Sequence, residues 1–504
     1  MIDQQNSLSE KFLKKGFWLY VFSFIIAPIG YIIKVILSND LSVEEIGVLY
    51  GIISLITLVA GFNDFGMTES LNKFLPQYIT EKRYDKVKAL LLYALGTQMV
   101  TAIIIFFIFF FGANYIGTNY FKYNDAIEAI KIFSFYFILM NIFQVIGTFF
   151  MSVQDTLYSK IGELARMLFV LLFILTLFLN GKGTLINYSY AWLIGLIIGI
   201  IVGYILFYNK YYKIYLKGIK ADISSKFYKK IFKYAIFVFI GAQASTILGQ
   251  IDMQMIIYML GSKDAGLYSN YLSLIGIPFL IITPIFGLLF PIFSEMYSKG
   301  EIERINLVKN IFEKNFLGIG IAINILFFLF GEIIAYIFFG EKFIMSGTII
   351  KYSALFLAFN FLLQINFNLL ASIGKVKERV VIISYAIIIN FILNLVFIKL
   401  LGVVGSALAT GIGWIYIRYM SEIKLGFEYK SKFNLKYVFK NIIFLSLIGI
   451  IIYFILPKEF TSISRIYLFF EVIVISIIYF ICYLFINYGD FRFLILEIKR
   501  LRGK

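Results

Sequence analysis

Residues 185–208 read LINYSYAWLIGLIIGIIVGYILFY, a run that contains no Lys, Arg, Asp or Glu. At about 1.5 Å per residue, a helix of this length crosses the roughly 30 Å hydrocarbon core of a bilayer. Basic residues stand at both ends, with Lys182 before the run and Lys210 after it. Runs of the same kind fill almost all of the 504 residues. The sequence therefore predicts an all-α protein that crosses a membrane many times.

The composition excludes several classes of protein. Hydrophobic residues make up 61% of the chain, aromatic residues 19%, and the mean hydropathy is +0.88. A soluble domain of this length would need far more polar surface. The formal net charge of +17 is also found in proteins that bind nucleic acid. Here the basic residues lie in short loops between apolar runs, so we expect no nucleic-acid partner.

Two residue types are scarce, and their scarcity limits the chemistry. The chain has no histidine, which excludes imidazole catalysis, histidine metal ligands and histidine proton relays. Its one cysteine, Cys482, lies inside an apolar run, so neither a disulfide framework nor a cysteine metal site is expected. The first apolar run, at about 17–37, lacks a small-residue cleavage site. We expect that run to be retained as a membrane span.

Hydropathy predicts fourteen spans, with boundaries uncertain by a few residues. Their approximate positions are 14–37, 46–72, 89–112, 127–151, 160–180, 185–208, 233–260, 266–291, 310–339, 349–372, 380–400, 403–421, 438–456 and 465–486. With this assignment, thirty-two of the 46 Lys and Arg residues fall on the side of the N-terminus and seven on the other side. By the positive-inside rule, both termini are predicted to be cytoplasmic.

The sequence also contains an internal repeat. The segment Glu45-Ile46-Gly47-Val48-Leu49-Tyr50 recurs loosely in the second half of the chain as Asp264-Ala265-Gly266-Leu267-Tyr268. A similar shift relates spans 4–5 to spans 10–11. Because each copy has six spans, an even number, both copies have the same orientation. We predict two six-helix lobes in a parallel repeat around a central cavity, plus two C-terminal helices. The predicted divisions are the N-lobe 1–208, a basic cytoplasmic linker 209–232, the C-lobe 233–421, and spans 13–14 with a basic tail at 437–504.

Seven basic residues lie within or at the ends of the spans. At mid-bilayer, an ionised side chain costs about 2.5–3.5 kcal/mol to insert. The seven residues are Lys34, Lys73, Lys131, Arg166, Lys314, Lys351 and Arg418. In span 2, Glu69 and Lys73 are spaced i,i+4 and can form a structural ion pair. In span 5, Arg166 either binds an anion through its planar fork or pairs with Glu163 and snorkels. Lys34 either reaches the interface or faces a ligand.

Amide side chains and an acidic side chain also occur inside the spans. Asn360, Gln364 and Asn368 are spaced i, i+4, i+8, and Gln144 is the repeat equivalent of Gln364. Such an amide stripe either binds sugar hydroxyls or joins helices. Asp252, in span 7, either takes up a proton or Na⁺ or hydrogen-bonds a neighbouring helix.

The sequence lacks the usual signals of an enzyme. It has no Gly-x-x-x-x-Gly-Lys-Ser/Thr phosphate loop, and loops of about 25 residues or fewer cannot contain a glycosyltransferase or ATP-binding domain. We therefore expect a transporter driven by an ion gradient, the membrane potential or the substrate gradient. A membrane-embedded polymerase or acyltransferase is disfavoured, since the former usually needs a large external loop and the latter uses histidine.

Several motifs together resemble a known family. They are Asp64-Phe65-Gly66 followed by Lys73, Gln250-Ile251-Asp252 before Gly266-Leu267-Tyr268-Ser269, Phe290-Pro291 followed by Ser294-Glu295, and Asn390 and Asn394 followed by Gly402-Val403-Val404-Gly405-Ser406-Ala407-Leu408-Ala409-Thr410. Their order over fourteen spans resembles the polysaccharide-transport family, the Wzx-type O-antigen flippases of the multidrug/oligosaccharidyl-lipid/polysaccharide exporter superfamily. The last motif occurs across that superfamily. The lipid II flippases are a related branch.

The resemblance implies a flippase, not an enzyme, that moves a polyprenyl-pyrophosphate-linked oligosaccharide across the cytoplasmic membrane by alternating access. The basic residues implied for the pyrophosphate are Lys34, Lys73 and Arg166. The residues implied for the sugar are Gln144, Asn360, Gln364 and Asn368. Candidates for Na⁺ or H⁺ coupling or for charge pairing are Asp64, Glu69 and Asp252. No cofactor or metal is expected. The expected partners are membrane lipids and a glycan polymerase, and the chain is expected to be a monomer. The alternatives are a lipid II flippase and a cation-coupled multidrug exporter.

Overall fold

A computed structural model describes the backbone of residues 2–431, 435–455, 459–490 and 492, and side chains from residue 21 onward except those of 237, 240–242 and 455. All regular elements in these ranges are helices, which confirms the predicted fold class. The α-helices are α1 Ile2–Asp40, α2 Val43–Asn63, α3 Met67–Thr80, α4 Tyr84–Tyr115, α5 Ala126–Ser152, α6 Thr156–Leu179, α7 Leu185–Phe207, α8 Ser225–Met259, α9 Ser262–Ser298, α10 Ile302–Phe339, α11 Ile344–Ser353, α12 Leu357–Ser372, α13 Val376–Leu401, α14 Val403–Leu425, α15 Leu435–Ile455 and α16 Arg465–Ile486.

Within the described residues, twelve helical segments are long and apolar enough to cross a membrane. The two remaining long helices are α8 and α14, and α14 carries Arg418, Glu422 and Lys424 near its end. Both lie near predicted spans, at 233–260 and 403–421. The protein is a multi-pass helical membrane protein.

The predicted span 46–72 is not one continuous helix. Its first part is α2, which begins at a capping box in which Ser42 and Glu45 satisfy each other's backbone N–H groups. The chain then breaks at Phe65 and Gly66, where φ is +45° and +76°. After the break it continues as α3. The predicted span 349–372 is likewise composed of α11, a 3₁₀ turn at Ala354–Phe356 and α12. Hydropathy does not detect such breaks because it is averaged over a window of about 19 residues, much longer than the break itself.

The helix boundaries repeat with the period seen in the sequence. Helix α2 begins at Val43 and its counterpart α9 at Ser262. Nearly the same offset separates the starts of α4 and α10, of α5 and α11, of α6 and α13, and of α7 and α14. The ends of α1 and α8, at Asp40 and Met259, have this offset too, so six helical segments occur twice in the same order. Helices α15 and α16 follow the second copy.

The chain divides into two compact units, residues 1–266 and 267–504. In the first unit α6 packs against α7 and α1, α4 packs against α5, and α8 packs against α2 and α3. The segment predicted as a linker, 209–232, also packs in this unit. Leu216 and Phe227 from that segment lie in one buried apolar cluster with Leu75 and Tyr78 of α3. The basic linker is thus attached to the membrane helices through its apolar side chains.

In the second unit, α13 packs against α14, and α10 packs against α11 and α12. The two helices outside the repeat, α15 and α16, pack against α10. Their shared core contains Leu445, Tyr479 and Tyr483 beside Ala322 and Phe330 of α10. The predicted tail beyond Arg492 lies outside the described residues.

Candidate functional site

Asp64 lies at the break between α2 and α3 and caps the second helix. Its carboxylate accepts hydrogen bonds from the Thr68 backbone N–H, at 3.1 and 3.2 Å, and from the Thr68 hydroxyl at 2.8 Å. The amide of Gln98 in α4 donates to the same carboxylate. Gly66 completes the break, because its φ of +76° is left-handed and a Cβ there would overlap the carbonyl group of Ala235 in α8. Asp64 therefore stabilises a broken helix in the first unit.

A buried amide pair lies beside this break. The side-chain amide of Asn63 donates to Asn141 Oδ1 in α5, and Asn141 Nδ2 donates to the Phe137 carbonyl at 2.7 Å. Gln144, one turn further along α5, is half-buried, and its Nε2 lies 3.5 Å from the Thr68 hydroxyl. The predicted sugar-binding residue Gln144 and the predicted coupling residue Asp64 thus share the neighbour Thr68.

Two predicted pyrophosphate-binding residues lie on adjacent helices of the first unit. Lys34 in α1 is 3% exposed, and its Nζ lies 3.2 Å from the ring centroid of Tyr50. Helices α1 and α6 are in contact, and a Cβ on Gly30 would lie 3.3 Å from the Met167 methyl group. With Gly30 and Met167 at the same level, Lys34 lies about five residues beyond Arg166, roughly 7.5 Å along the helix axis.

Arg166 lies about 15 Å along α6 from Thr156, near the middle of the helix. Its Nη1 lies 3.3 Å from the Tyr136 hydroxyl, and its Cζ lies 5.7 Å from the ring centroid of Phe143. Its Nε is buried without a hydrogen-bond partner among the described residues. Glu163, a predicted alternative partner, instead pairs with Lys160 at 2.8 Å.

Lys73 lies at a different level from the other two basic residues. It is exposed on α3, and its Nζ lies 3.9 Å from the ring centroid of Tyr234 in α8. The neighbouring Asn72 accepts a hydrogen bond from Ser152, the last residue of α5. Lys73 is therefore near the end of α5, whereas Arg166 contacts its middle. The half-buried Glu69 precedes Lys73 by one turn of α3.

A separate polar group joins α2 to α8. The Ser54 hydroxyl donates to Gln250 Oε1 at 2.7 Å and accepts from Gln254 Nε2 at 2.8 Å. Gln254 Oε1 in turn accepts a hydrogen bond from Tyr120 at 2.8 Å. Asp252, between the two glutamines in sequence, is buried.

In the second unit, α12 carries amide side chains on two faces, and their surroundings differ. Asn360 is buried, and its Oδ1 accepts no hydrogen bond from the described residues. Gln364 and Asn368 are half-buried, and Asn368 Nδ2 donates to the Gln364 carbonyl at 2.8 Å. On the other face, Asn366 donates to Ser421 and to Glu422, each at 3.0 Å. The predicted stripe is thus distinct from the amide that joins α12 to α14.

A buried network of four charged residues in the second unit was missed by the sequence analysis. Lys309 of α10 is fully buried, and its Nζ lies 2.9 Å from Glu422 and 2.5 Å from the Tyr429 carbonyl. Arg418 of α14 donates to Glu313 of α10 at 2.9 Å and also to Glu422. The sequence feature that could have indicated this network is the i,i+4 spacing of opposite charges, in Lys309–Glu313 and in Arg418–Glu422.

A cavity of about 630 Å³ adjoins this network. Glu313 and Arg418 lie on its wall, together with the ion pair of Lys314 and Asp490, whose Nζ–Oδ1 distance is 2.6 Å. In the segment after the end of α14, the Tyr429 phenol has a raised pKa because it is buried and because Glu428 is close. No group of three potential metal-ligating side chains occurs among the residues that the structure describes.

Comparison with known sequences gives a match over more than half of the chain. Residues 12–297 match the family described as polysaccharide biosynthesis protein. An uncharacterized membrane protein of Methanocaldococcus jannaschii is 26% identical over 433 residues, which is 81% of this chain and 84% of that protein. The lipid II flippase MurJ of Bacillus subtilis is 24% identical over 413 residues, covering 74% of this chain and 76% of that protein.

The fold is shared with solved transporters. A structure of the lipid II flippase MurJ in an inward closed conformation aligns with a TM-score of 0.71 and 15% identity, covering 95% of this chain and 99% of that one. An inward-facing multidrug resistance MATE family transporter of the MOP superfamily aligns with a TM-score of 0.62 and 13% identity, covering 81% and 99%. These similarities confirm the resemblance found in the sequence motifs. The chain belongs to the polysaccharide biosynthesis protein family and has the helical transporter fold of the multidrug/oligosaccharidyl-lipid/polysaccharide exporter superfamily.

Proposed function

We propose that this protein is a flippase that moves a polyprenyl-pyrophosphate-linked oligosaccharide across the cytoplasmic membrane by alternating access. The observation that carries the proposal is the environment of Arg166. This guanidinium is held in the middle of a membrane-spanning helix by a phenol and an aromatic ring, and no described carboxylate lies within 4 Å of it. A cation at that depth is costly unless it acquires a partner. A pyrophosphate supplies one, since its oxygens match the planar fork of arginine.

Lys34 and Arg166 would bind the pyrophosphate together, because an axial offset of roughly 7.5 Å on adjacent helices can be bridged by two long side chains and a diphosphate. Lys73 would bind it at another level, nearer the end that the charge bias assigns to the cytoplasm. We therefore infer that Lys73 meets the diphosphate on entry, and that Arg166 and Lys34 hold it deeper in the membrane. The polyprenyl tail remains in lipid during this movement.

The glycan would be bound by amides, because each amide offers both a donor and an acceptor to hydroxyl groups. Gln144 in the first unit and Asn360, Gln364 and Asn368 in the second are the proposed ligands. The unsatisfied Oδ1 of Asn360 supports this role, since a buried acceptor without a donor costs roughly 1–3 kcal/mol. We further propose that transport is coupled to Na⁺ or H⁺ through Asp64, Glu69 or Asp252. The protein would be a monomer with cytoplasmic termini and would associate with a glycan polymerase.

The proposal is tested with purified protein in liposomes that carry a fluorescent polyprenyl-pyrophosphate oligosaccharide. Translocation is measured as the fraction of glycan that becomes accessible to an external glycosidase. We expect Arg166→Gln to reduce the initial rate at least tenfold, and Lys160→Gln, which removes an interfacial ion pair on the same helix, to leave it within twofold. Equal rates for both variants would refute the pyrophosphate role of Arg166.

A second candidate function is translocation of lipid II, and the 24% identity to the Bacillus subtilis lipid II flippase favours it. Both candidates share the polyprenyl pyrophosphate and differ in the glycan. Competition between an unlabelled lipid II and the fluorescent oligosaccharide lipid in the same liposomes distinguishes them. A third candidate, the cation-coupled drug exporter, predicts drug resistance in expressing cells and no glycan translocation.

A further inference from the structure

The first unit contains a strip of four aromatic rings, formed by α3 and α8. Phe74 and Tyr78 of α3 are stacked, with ring centroids 6.1 Å apart and an interplanar angle of 13°. Two rings of α8 make edge contacts with this pair: the Tyr234 centroid lies 5.3 Å from that of Phe74, and the Phe227 centroid lies 5.6 Å from that of Tyr78. Phe74, Tyr78 and Phe227 are buried. Packing therefore holds the strip in a fixed position.

Two lysines, one from each helix, lie beside the same rings. Lys73 Nζ of α3 is 3.9 Å from the Tyr234 centroid and 5.4 Å from the Phe74 centroid. Lys230 Nζ of α8 is also 5.4 Å from the Phe74 centroid, and it donates to the Tyr78 hydroxyl at 3.3 Å. The two ammonium groups are therefore neighbours that share the Phe74 ring.

A third lysine, Lys86 near the start of α4, extends the group. Its Nζ lies 5.2 Å from the Tyr78 centroid and 5.7 Å from the Phe227 centroid. The adjacent acid does not neutralise it, since both carboxylate oxygens of Asp85 accept hydrogen bonds from Arg83, at 3.1 and 2.8 Å. Among the residues that the structure describes, none of these three lysines has a carboxylate oxygen within 4 Å. The strip thus gathers three positive charges without a carboxylate partner.

Such a grouping favours an anionic ligand. Ammonium groups that share one strip repel each other, and the ring faces compensate only a small part of their charge. Basic residues that only set the membrane topology act through their charge and need no common surface. Here, lysines of three helices converge on rings that packing holds in place. A ligand with two adjacent phosphates would relieve the repulsion, since phosphate oxygens form charge-assisted hydrogen bonds with lysine.

The depth of the strip indicates which phosphate could reach it. The predicted span of α8 begins at 233, just beyond Lys230. On α3, Asn72 next to Lys73 accepts a hydrogen bond from Ser152, the last residue of α5. Both observations place the lysines at the membrane boundary, at the end that the charge bias assigns to the cytoplasm. The diphosphate of a polyprenyl-linked substrate lies at this depth, because its tail occupies the hydrocarbon and its charges stay in the headgroup region.

We propose that Lys73, Lys230 and Lys86 form an entry site that binds the diphosphate of the lipid-linked substrate before it reaches Arg166. This inference rests on the proposed function and adds two binding residues to it, Lys230 and Lys86. The rings and the Tyr78 hydroxyl order the ammonium groups in advance, so less side-chain freedom is lost when the ligand binds. The three lysines would therefore set the affinity for the substrate, and Arg166 the rate of its passage.

The test measures binding and translocation separately, with the full-length protein. The binding probe is farnesyl pyrophosphate, a short polyprenyl pyrophosphate, added to protein in phosphatidylcholine nanodiscs and counted by native mass spectrometry. We expect Lys73→Gln and Lys230→Gln each to raise its dissociation constant at least fivefold. Lys230→Arg should stay within twofold of the wild type, because it retains the charge. In the liposome assay, Lys230→Gln should raise the half-saturating substrate concentration at least fivefold and leave the maximal rate within twofold.

Lys229→Gln is the matched control, because Lys229 is also an exposed lysine of α8 and points about 100° away from Lys230 around the helix. It should bind the probe within twofold of the wild type. Unchanged binding by Lys230→Gln would overturn the proposal. So would displacement of the probe by an equal concentration of phosphatidylglycerol, since the strip would then bind membrane lipids in general. A wild type that binds the probe through these lysines but translocates no glycan would support the diphosphate site and refute the proposed function.

Discussion

The guanidinium of Arg418 donates to Glu313 at 2.9 Å and so joins α14 to α10, at a depth where both side chains are almost completely buried. Glu422 and Lys309 extend the contact, and Ser431 reaches it from the segment after α14, with its backbone N–H donating to Glu422 at 2.7 Å. The network thus contains two positive and two negative side chains and has no net charge. These side chains hold the start of α10, the end of α14 and the segment after α14 in one arrangement.

This relationship predicts a strong non-additivity. Glu313→Gln leaves the buried network with a net positive charge and Arg418→Met leaves it with a net negative one, so each should lower the free energy of unfolding by roughly 3 kcal/mol. The double variant leaves Lys309 and Glu422 as a neutral pair at 2.9 Å and should be less destabilised than the sum of the two. Unfolding by denaturant in detergent micelles measures this cycle. Strict additivity would contradict a direct interaction.

Gly66 gives a second prediction. Gly66→Ala introduces a Cβ into the Ala235 carbonyl group and into a left-handed conformation, so we expect a loss of roughly 2 kcal/mol or more in stability. Gly96→Ala in α4 is the control, because its Cβ would enter open space. That change should be neutral or stabilising by up to about 1 kcal/mol. The melting temperatures of the two variants provide the comparison.

Asp64 allows capping to be separated from charge. Asp64→Asn keeps an acceptor for the Thr68 N–H and should unfold within about 1 kcal/mol of the wild type. Asp64→Ala removes the cap and should lose roughly 1–2 kcal/mol. Chemical unfolding of both variants in the same detergent gives the two values. If the asparagine variant were as unstable as the alanine variant, the negative charge itself would be needed for folding.

The two faces of α12 should respond differently to truncation. Asn366→Ala removes hydrogen bonds to Ser421 and Glu422 and should cost roughly 1–3 kcal/mol of stability. Asn360→Ala removes an acceptor to which no described group donates. The stability of this variant should therefore be nearly unchanged, while its rate of glycan translocation should fall. Measuring melting temperature and translocation on the same preparations tests both. A stable, fully active Asn360→Ala variant would remove Asn360 from the sugar site.

The helical passes, the repeat and the family could all be derived from the chain, because each depends on local or periodic features. Apolar runs long enough to cross the bilayer place the helices, and equal spacing of similar segments defines the repeat. The break at Asp64–Gly66 could not be derived. It depends on Gln98 and Ala235, which come from helices distant in sequence.

The candidate site was accessible to sequence reasoning only in part. Lys34 and Arg166 stand out as charges inside apolar runs, and their neighbours Tyr50 and Tyr136 do not. From the sequence, Lys309 is counted with the basic residues of the loops. It lies near a helix start, where basic residues usually set the membrane topology. Only packing shows that it is buried against Glu422 and the Tyr429 carbonyl.

The sequence by itself determined that this protein spans a membrane many times and contains a repeat, since the cost of placing backbone and charge in lipid is a property of each segment. Only the tertiary structure decided which charges neutralise one another. Lys309 and Arg418 have carboxylate partners from other helices, whereas Arg166 has a phenol and an aromatic ring. The physical reason is that pairing requires contact within about 4 Å, and folding brings such residues together independently of their separation along the chain.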